Sequence, residues 1–293
     1  MGHAARAIAA GDCEVALIVY ASRQRSDRSR TLAGRGAVLN MQFETPYGLP
    51  SPIGGYAMAA TRHMHQYGTS SEQLAEVAVA TRKWASLNPA ALHRDPLSVD
   101  DVLASPLICE PLHLLDCCLV TDGAGAIVLT TEEHARALDA AAVSVRGFGE
   151  SETHLSIAAM PDLTVTPAAH SARRALEMAG IGIEEVDLAE IYDSFTITVL
   201  LTLESIGFCG PGEGGPFVSG LRTGPGGALP MNTNGGGLSC AHPGMYGIFL
   251  LIEAVRQLRG DAGERQVEGA RVALVNGTGG VLSSAATCIL TAG

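Results

Sequence analysis

The chain has 293 residues, 47% of them hydrophobic and only 17% charged, with a net charge of −11 and a mean hydropathy of +0.22. This composition predicts a large, well-buried α/β protein and excludes a disordered chain. The excess of acidic residues disfavours a nucleic-acid groove, which needs clustered basic residues. No apolar run reaches the length of a membrane span.

The cysteines predict a reduced, cytoplasmic protein. Their number is odd, their spacing is unpaired, and the adjacent Cys117 and Cys118 suit neither a zinc knuckle nor an easy disulfide. The N-terminus lacks the charged-then-apolar order of a signal peptide. We therefore expect mostly buried thiols, no metal site, and no contact with membrane or nucleic acid.

The first predicted elements are a helix closed by Gly11 ("HAARAIAAG") and a buried strand in the continuous apolar run "EVALIVYAS". The segment "TSSEQLAEVAVATRKWASL" opens with a capping box from Thr69 to Glu72 and predicts an amphipathic helix. The segment "CCLVTDGAGAIVLTT" predicts a strand, a glycine turn and a second strand. A short helix, "EEHARAL", follows.

The pattern then restarts with a strand, "VSVRGFG", and a helix between Pro167 and Gly180. A strand "VDLAEIYD" and a buried helix ended by Gly207 come next. The apolar helix "MYGIFLLIEAVRQLRG" follows a glycine-rich loop, and two strands joined by a glycine turn end the chain. This alternation predicts layered α/β architecture in two halves, residues 1–140 and 141–293.

The first candidate site is "NTNGGGLSCAHPGMYG", where His242 lies just ahead of the apolar helix. Small residues before His242 allow a ligand to approach the backbone closely. The N–H groups of a helix start favour a developing anion, and a neutral imidazole can donate to the same anion or move a proton. A capping histidine in a tight turn is an equally good interpretation of this spacing.

The second candidate is "AEIYDSFT", where Tyr192, Asp193 and Ser194 follow a predicted strand. Ligands of α/β proteins favour the carboxyl ends of strands, so Tyr192 is a candidate proton donor. Asp193 and Ser194 are better explained as helix caps. The glycine turn "VNGTGG", which includes Gly277 and Gly279, permits close approach of a thioester, but it is also an ordinary hairpin turn.

Together these motifs resemble the thiolase superfamily, in order along nearly the whole chain. "LLDCCLVTDGAGAIVLT" is similar to the end of the first thiolase half, and "EIYDSFT" occupies the place of the family's Asn-Glu-Ala-Phe or His-Asp-Cys-Phe box. "NTNGGGLSCAHPGMYG" is similar to the Gly-His-Pro motif, and "LVNGTGG" to the final Cys-x-Gly-x-Gly loop. The resemblance implies a thiolase fold, with two βαβαβαββ halves in an αβαβα sandwich, dimers and acyl-CoA substrates.

Two departures from the family pattern concern its cysteines. The nucleophilic cysteine of the first half has no counterpart, since the chain begins within or after the helix that follows it. Val275 occupies the position of the second cysteine and cannot transfer a proton. We therefore expect an N-terminally incomplete first half. In that case the chain is a fragment, has a misassigned start, or is completed by another chain.

This combination resembles the lipid-transfer, sterol-carrier-protein-x-like branch, and within it the steroid side-chain aldolases. The resemblance implies retro-aldol cleavage of a β-hydroxyacyl-CoA, with His242 at the enolate oxygen and with Tyr192 and Tyr246 in proton transfer. Tyr246 could equally be a core residue. Asn234, Gly236, Gly277 and Gly279 are expected to bind substrate or the oxyanion.

The same resemblance implies a thiolase-type homodimer, a small zinc-ribbon/OB-fold partner protein, and no cofactor beyond the CoA thioester itself. Two alternatives stay open. One is an acetyl-CoA acetyltransferase, or 3-ketoacyl-CoA thiolase, whose cysteine lies upstream of Met1. The other is a non-catalytic, thiolase-like lipid-binding subunit.

Overall fold

The computed structural model describes residues 1–28, 42–138 and 141–293. The helices are α1 (Gly2–Ala9), α2 (Gln24–Asp27), α3 (Ile53–Tyr67), α4 (Ser71–Ser86), α5 (Val99–Ala104), α6 (Glu132–Ala137), α7 (Ala168–Ala179), α8 (Thr196–Ile206), α9 (Gly214–Val218) and α10 (Gly247–Arg259). The strands are β1 (Val15–Arg23), β2 (Leu107–Cys109), β3 (Leu112–His113), β4 (Asp122–Thr130), β5 (Val143–Glu152), β6 (Leu188–Ile191), β7 (Val272–Gly279) and β8 (Ser284–Ala292). None of the helices in these ranges is long and apolar enough to cross a membrane.

A four-stranded sheet with the order β5-β8-β7-β6 forms the larger half. Strands β6 and β7 are parallel, and β8 runs antiparallel to both of its neighbours. Successive residues of each strand point to opposite faces, so Leu274 and Ile289 pack with α7 while Val275 and Leu290 pack with α10. The sheet is therefore covered by a helix on each face.

A second sheet pairs β1 with β4 in antiparallel register, from Val15 opposite Thr130 to Arg23 opposite Asp122. Its inner face packs on α10, where Gly125 lies against Ile248 and Ile252. Helix α10 thus lies between the two sheets, as the predicted layered sandwich requires. The prediction of a strand, a turn and a second strand over residues 117–131 was wrong, since the glycines lie within β4. Because these glycines have no side chain, α10 can approach the strand closely.

The prediction that the first strand is buried was wrong for its outer face. Val15, Leu17 and Val19 of β1 are 46%, 64% and 65% exposed, and Val128 of β4 is 64% exposed. The apolar run fits a strand with both faces covered, yet only the inner face is covered by the described residues. That the first half lacks its opening elements stays a prediction. So does the boundary between halves, since residues 139–140 lie outside the described ranges.

Helix boundaries follow the predicted signals, with one shift. Gly180 and Gly207 end α7 and α8 in the left-handed conformation, as predicted. The capping box of α4 is Ser70 with Gln73, one residue after the predicted pair, because the Ser70 hydroxyl accepts the Gln73 N–H while the Gln73 side chain accepts the Ser70 N–H. A one-residue shift of this kind is expected where neighbouring residues are all good caps.

A buried polar cluster lies between β6 and α10. Glu253 pairs with Arg265, with Nε–Oε1 at 2.7 Å and Nη2–Oε2 at 3.0 Å. The Thr233 hydroxyl oxygen lies 2.9 Å from a carboxyl oxygen of Glu190 and 2.9 Å from one of Glu253, and it accepts a hydrogen bond from Gln257. A hydroxyl has one hydrogen and can donate to only one of the two carboxyl groups.

The second contact of Thr233 therefore needs a proton on a carboxyl group. Glu253 already faces the guanidinium of Arg265, so we assign this proton to Glu190. Burial is the main cause that raises the pKa of Glu190 well above its ordinary value, and the negative charge of Glu253 adds to it. Glu190 is thus a neutral acid that donates to Thr233 beneath α10.

The free energy of unfolding of Glu190→Gln, relative to that of wild type, should increase as pH rises. Above about pH 4.5 the unfolded chain ionises Glu190 while the folded protein keeps it protonated, so wild-type stability is lost by up to about 1.4 kcal/mol per pH unit until the folded pKa is reached. Urea unfolding of both proteins at pH 5, 6, 7 and 8 measures the difference. Glu268→Gln, at an exposed glutamate, is the control. Equal stability differences at all four pH values would contradict the assignment.

Gly149→Ala should separate β5 from α7. An added Cβ would lie 2.1 Å from the Ser171 carbonyl oxygen, so the helix must move away at a cost of about 1–3 kcal/mol. Gly247→Ala in α10 is the matched control, since its Cβ meets nothing within 4 Å. In denaturant unfolding, the free energy of unfolding of Gly149→Ala should be about 1–3 kcal/mol below that of wild type, and that of Gly247→Ala should not fall. Equal free energies for the two variants would contradict the prediction.

Candidate active site

The three predicted catalytic rings lie together at the carboxyl end of β6. Ring centroids are 5.5 Å apart for Tyr192 and His242, 5.9 Å for Tyr192 and Tyr246, and 6.0 Å for His242 and Tyr246. Tyr192 directly follows β6, and its N–H donates to the carbonyl of Asn276 in β7. All three side chains are at least nine-tenths buried. The sheet therefore fixes one ring, and the segment before α10 supplies the other two.

The Tyr192 hydroxyl makes two short contacts. It donates to the carbonyl of Gly244 at 2.7 Å, and it lies 2.6 Å from Nε2 of His242. Since the phenol has a single hydrogen, the contact with His242 needs the proton on Nε2. We therefore assign the Nε2–H form to His242, which donates to the phenol oxygen.

Tyr246 donates from its hydroxyl to Oδ1 of Asn234 at 3.1 Å. The same oxygen accepts the Gly236 N–H at 2.8 Å, while the backbone carbonyl of Asn234 accepts from the Asn88 side chain. Burial raises the pKa of both Tyr192 and Tyr246, so both phenols are neutral near pH 7. Two protonated phenols and one imidazole thus face one another.

Asp193 holds the glycine-rich turn that precedes His242. Its two carboxylate oxygens accept the N–H groups of Gly237 at 2.7 Å and Leu238 at 3.1 Å. Gly236 has φ +58°, and a Cβ there would lie 2.1 Å from Asp193 Oδ2, so no larger residue fits. Burial raises the pKa of Asp193 to about 7, and the two amides act in the opposite direction.

The predicted capping roles of Asp193 and Ser194 were wrong. Helix α8 begins at Thr196, and its N-cap residue, Phe195, makes no side-chain capping bond. Asp193 instead binds the glycine-rich turn, and the Ser194 hydroxyl lies 3.0 Å from that of Thr198. The tight turn after β6 directs Asp193 across to a loop some 44 residues later, a contact that local spacing does not reveal.

The position of His242 relative to α10 also differs from the prediction. The helix begins at Gly247, after a five-residue π-helical turn at Gly236–Cys240 and an extended link. His242 therefore lies outside the first helical turn, and Tyr246 is the residue that precedes the helix. The backbone of His242 pairs instead with Thr121, whose hydroxyl accepts the His242 N–H at 3.0 Å and whose N–H donates to the His242 carbonyl at 3.2 Å.

The predicted substrate-binding positions divide into two kinds. Asn234 and Gly236 lie beside the rings, and the Gly236 amide is bonded to Asn234. Gly277 lies in β7 next to the start of α10, where an added Cβ would find nothing closer than 4.0 Å, whereas a Cβ at Gly279 would meet the Ser284 hydroxyl at 2.5 Å. Packing thus leaves room at Gly277, and substrate binding by these residues stays a prediction.

The thiol of Cys240, near the site, is protonated at neutral pH. Cys240 receives a hydrogen bond from the Asn88 side chain at 3.7 Å, and burial raises its pKa to about 11. Val275 is 3% exposed and packs among apolar residues of α10 and β8. A nucleophilic cysteine needs a lowered pKa, so Cys240 is poorly suited to that task.

Sequence reasoning missed Thr121, Asn88 and the carbonyl of Gly244. Thr121 lies in a stretch interpreted as structural, and Asn88 lies in the loop after α4. Thr121 and Asn88 act through contacts between segments more than 100 residues apart, such as Asn88 with Asn234, and the Gly244 carbonyl contacts Tyr192, 52 residues earlier. No local pattern reports such a contact.

Comparison with known proteins places this site in a family. Residues 149–292 match the family described as "Thiolase C-terminal domain-like". The acetyl-CoA acetyltransferase of Methanothermobacter thermautotrophicus is 37% identical over 86% of this chain and 66% of its own length. The 17-hydroxy-3-oxo-4-pregnene-20-carboxyl-CoA lyase of Mycobacterium tuberculosis is 36% identical over 96% of this chain and 76% of its own.

A solved structure, the Ltp2-ChsH2(DUF35) aldolase, superposes with a TM-score of 0.89 and 33% identity, covering 99% of this chain and 76% of that one. The family resemblance predicted from the motifs is thereby confirmed. The chain belongs to the thiolase superfamily, in the branch that contains the steroid side-chain lyases and aldolases.

Proposed function

We propose that this chain is the catalytic part of a thiolase-fold acyl-CoA carbon–carbon lyase. It cleaves a bulky β-hydroxyacyl-CoA, of which a steroid side-chain thioester is an example, to a ketone and a shortened acyl-CoA. The observation that carries the proposal is the cluster of two buried, protonated phenols around His242. The lyase and aldolase names of two relatives, which are 36% and 34% identical, support the same reaction class.

The reaction needs two proton transfers and no covalent intermediate. A base removes the proton of the β-hydroxyl group, and the oxygen lone pair forms the ketone carbonyl as the bond between the α and β carbons breaks. The bonding pair passes to the α carbon and its thioester carbonyl as an enolate. An acid then protonates the α carbon, which gives the shortened acyl-CoA.

Tyr192 and Tyr246 are the residues proposed for these transfers. The Nε2–H of His242, 2.6 Å away, stabilises the phenolate that forms when Tyr192 gives up its proton. Tyr246 is oriented by Asn234. The Nε2–H group of His242 stabilises negative charge on whichever oxygen lies opposite it, the phenol in the resting site or the enolate during the reaction. Asn234, Gly236, Gly277 and Gly279 are the proposed surroundings of the thioester.

We also propose that the chain works in an assembly. The name of the superposed aldolase pairs Ltp2 with ChsH2(DUF35), so a second protein is a component of that enzyme. By analogy, a small zinc-ribbon/OB-fold protein is the proposed partner here, beside a thiolase-type homodimer. Turnover of a β-hydroxyacyl-CoA by the purified chain, with and without a co-expressed partner, tests this arrangement.

A second candidate is an acetyl-CoA acetyltransferase, favoured by the 37% identity to the Methanothermobacter protein. That reaction needs a nucleophilic thiolate, which burial of Cys240 disfavours within this chain. Acetyl transfer from acetoacetyl-CoA to CoA, which yields two molecules of acetyl-CoA and is abolished by thiol alkylation, would favour this candidate over the lyase.

Tyr192→Phe and Tyr246→Phe should each lower lyase turnover by at least about 100-fold, because each removes a proton-transfer group. Binding of a CoA thioester, measured by calorimetry, should stay within a few-fold of wild type, since the rings remain. Tyr47→Phe, at a tyrosine that is 86% exposed, is the matched control. Wild-type rates in both active-site variants would rule out the mechanism.

A further inference from the structure

The hydroxyl of Tyr20 holds the turn between His242 and Tyr246. It donates to the Pro243 carbonyl at 2.7 Å and accepts the Met245 N–H at 3.1 Å. One hydrogen and one lone pair serve the two contacts, so both are satisfied at once. Tyr20 thus closes the turn from outside, as a bridge between its two ends.

That turn sets the relative positions of all three rings. His242 precedes it, Tyr246 follows it, and the Gly244 carbonyl within it accepts the Tyr192 hydroxyl at 2.7 Å. Gly244 has φ +117°, a value that other residues rarely adopt. An added Cβ there would lie 2.1 Å from the Gln24 amide nitrogen and 2.8 Å from the Tyr20 hydroxyl. The turn therefore requires glycine at this position, and it packs tightly against the end of the β1–β4 sheet.

Tyr20 is attached to a rigid support. It lies in β1 opposite Gly125 of β4, and Gly125 packs on Ile248 and Ile252 of α10. The helix that begins after Tyr246 is thus held by the same sheet that carries Tyr20. The Tyr20 hydroxyl consequently links the turn to the same sheet on which α10 packs.

We propose that Tyr20 is a positioning residue of the catalytic centre: its hydroxyl fixes the Pro243–Met245 turn and so sets the contact between the Tyr192 hydroxyl and the His242 ring. The kinetic consequence rests on the proposed function, whereas the geometric one does not. A purely structural role is a poor explanation, because Tyr20 is only partly buried and Met245 is 66% exposed, so water can replace the lost contact at the Met245 amide.

Tyr20→Phe keeps the ring and removes the bridge. We expect kcat on a β-hydroxyacyl-CoA to fall by about 10- to 100-fold, since small displacements of reacting groups have effects of this size. KM should stay within about two-fold and the thermal midpoint should change little. Tyr47→Phe, far more exposed, should leave all three quantities at wild-type values.

A readout without substrate separates this proposal from the proposed function. In protein labelled with ¹⁵N-histidine, the His242 ring resonances, assigned with His242→Ala, should shift in Tyr20→Phe as the contact with Tyr192 lengthens. Should wild-type protein lack lyase turnover, the function fails and the resonances still decide the role of Tyr20. Unchanged resonances together with unchanged kcat would overturn the positioning role.

Gly244→Ala is a second test if Tyr20→Phe folds poorly. The added methyl group displaces the turn from Tyr20 and Gln24 without altering either side chain. The His242 resonances should shift in the same direction as in Tyr20→Phe. Resonances at wild-type positions in a folded Gly244→Ala protein would likewise contradict the proposal.

Discussion

The single hydrogen of the Tyr192 hydroxyl constrains the whole centre. It is donated to the Gly244 carbonyl, so the 2.6 Å contact with His242 exists only with a proton on Nε2 of the imidazole. This fixes the form of the histidine, the direction of the phenol and the position of the turn that carries Gly244. The strand end at Tyr192, the Pro243–Met245 turn and the start of α10 must therefore lie close together for both contacts to form.

Buried polar groups bring those segments together. Asp193 accepts two amides of the glycine-rich turn, Thr121 pairs with the backbone of His242, and Tyr20 bridges the turn beyond it. Each of these groups comes from a different part of the chain. Because a buried donor or acceptor without a partner is costly, the same contacts that satisfy these groups also define the spacing of the rings.

Sequence patterns identified what is local. The ends of α7 and α8 follow from glycines, and the three catalytic candidates follow from motifs at a strand end and before a helix. The patterns failed where the outcome depends on distant partners. Asp193 has the composition of a cap yet binds residues 237 and 238, and β1 has the composition of a buried strand although its outer face is exposed. Tyr20 and Asn88 carry no local signal at all.

Burial gives this centre a chemistry based on proton transfer. The same dry surroundings raise the pKa of the Tyr192 phenol and of the Cys240 thiol, and the consequences differ. A thiol that stays protonated is a poor nucleophile, whereas a phenol that stays protonated still carries the proton that an acid must deliver. A buried phenol can accept a substrate proton only after it has lost its own, and the His242 N–H opposite Tyr192 stabilises the phenolate that results. The phenol and the imidazole therefore act as one unit, so any group that alters their separation, including a hydroxyl on the other sheet, alters the chemistry of both.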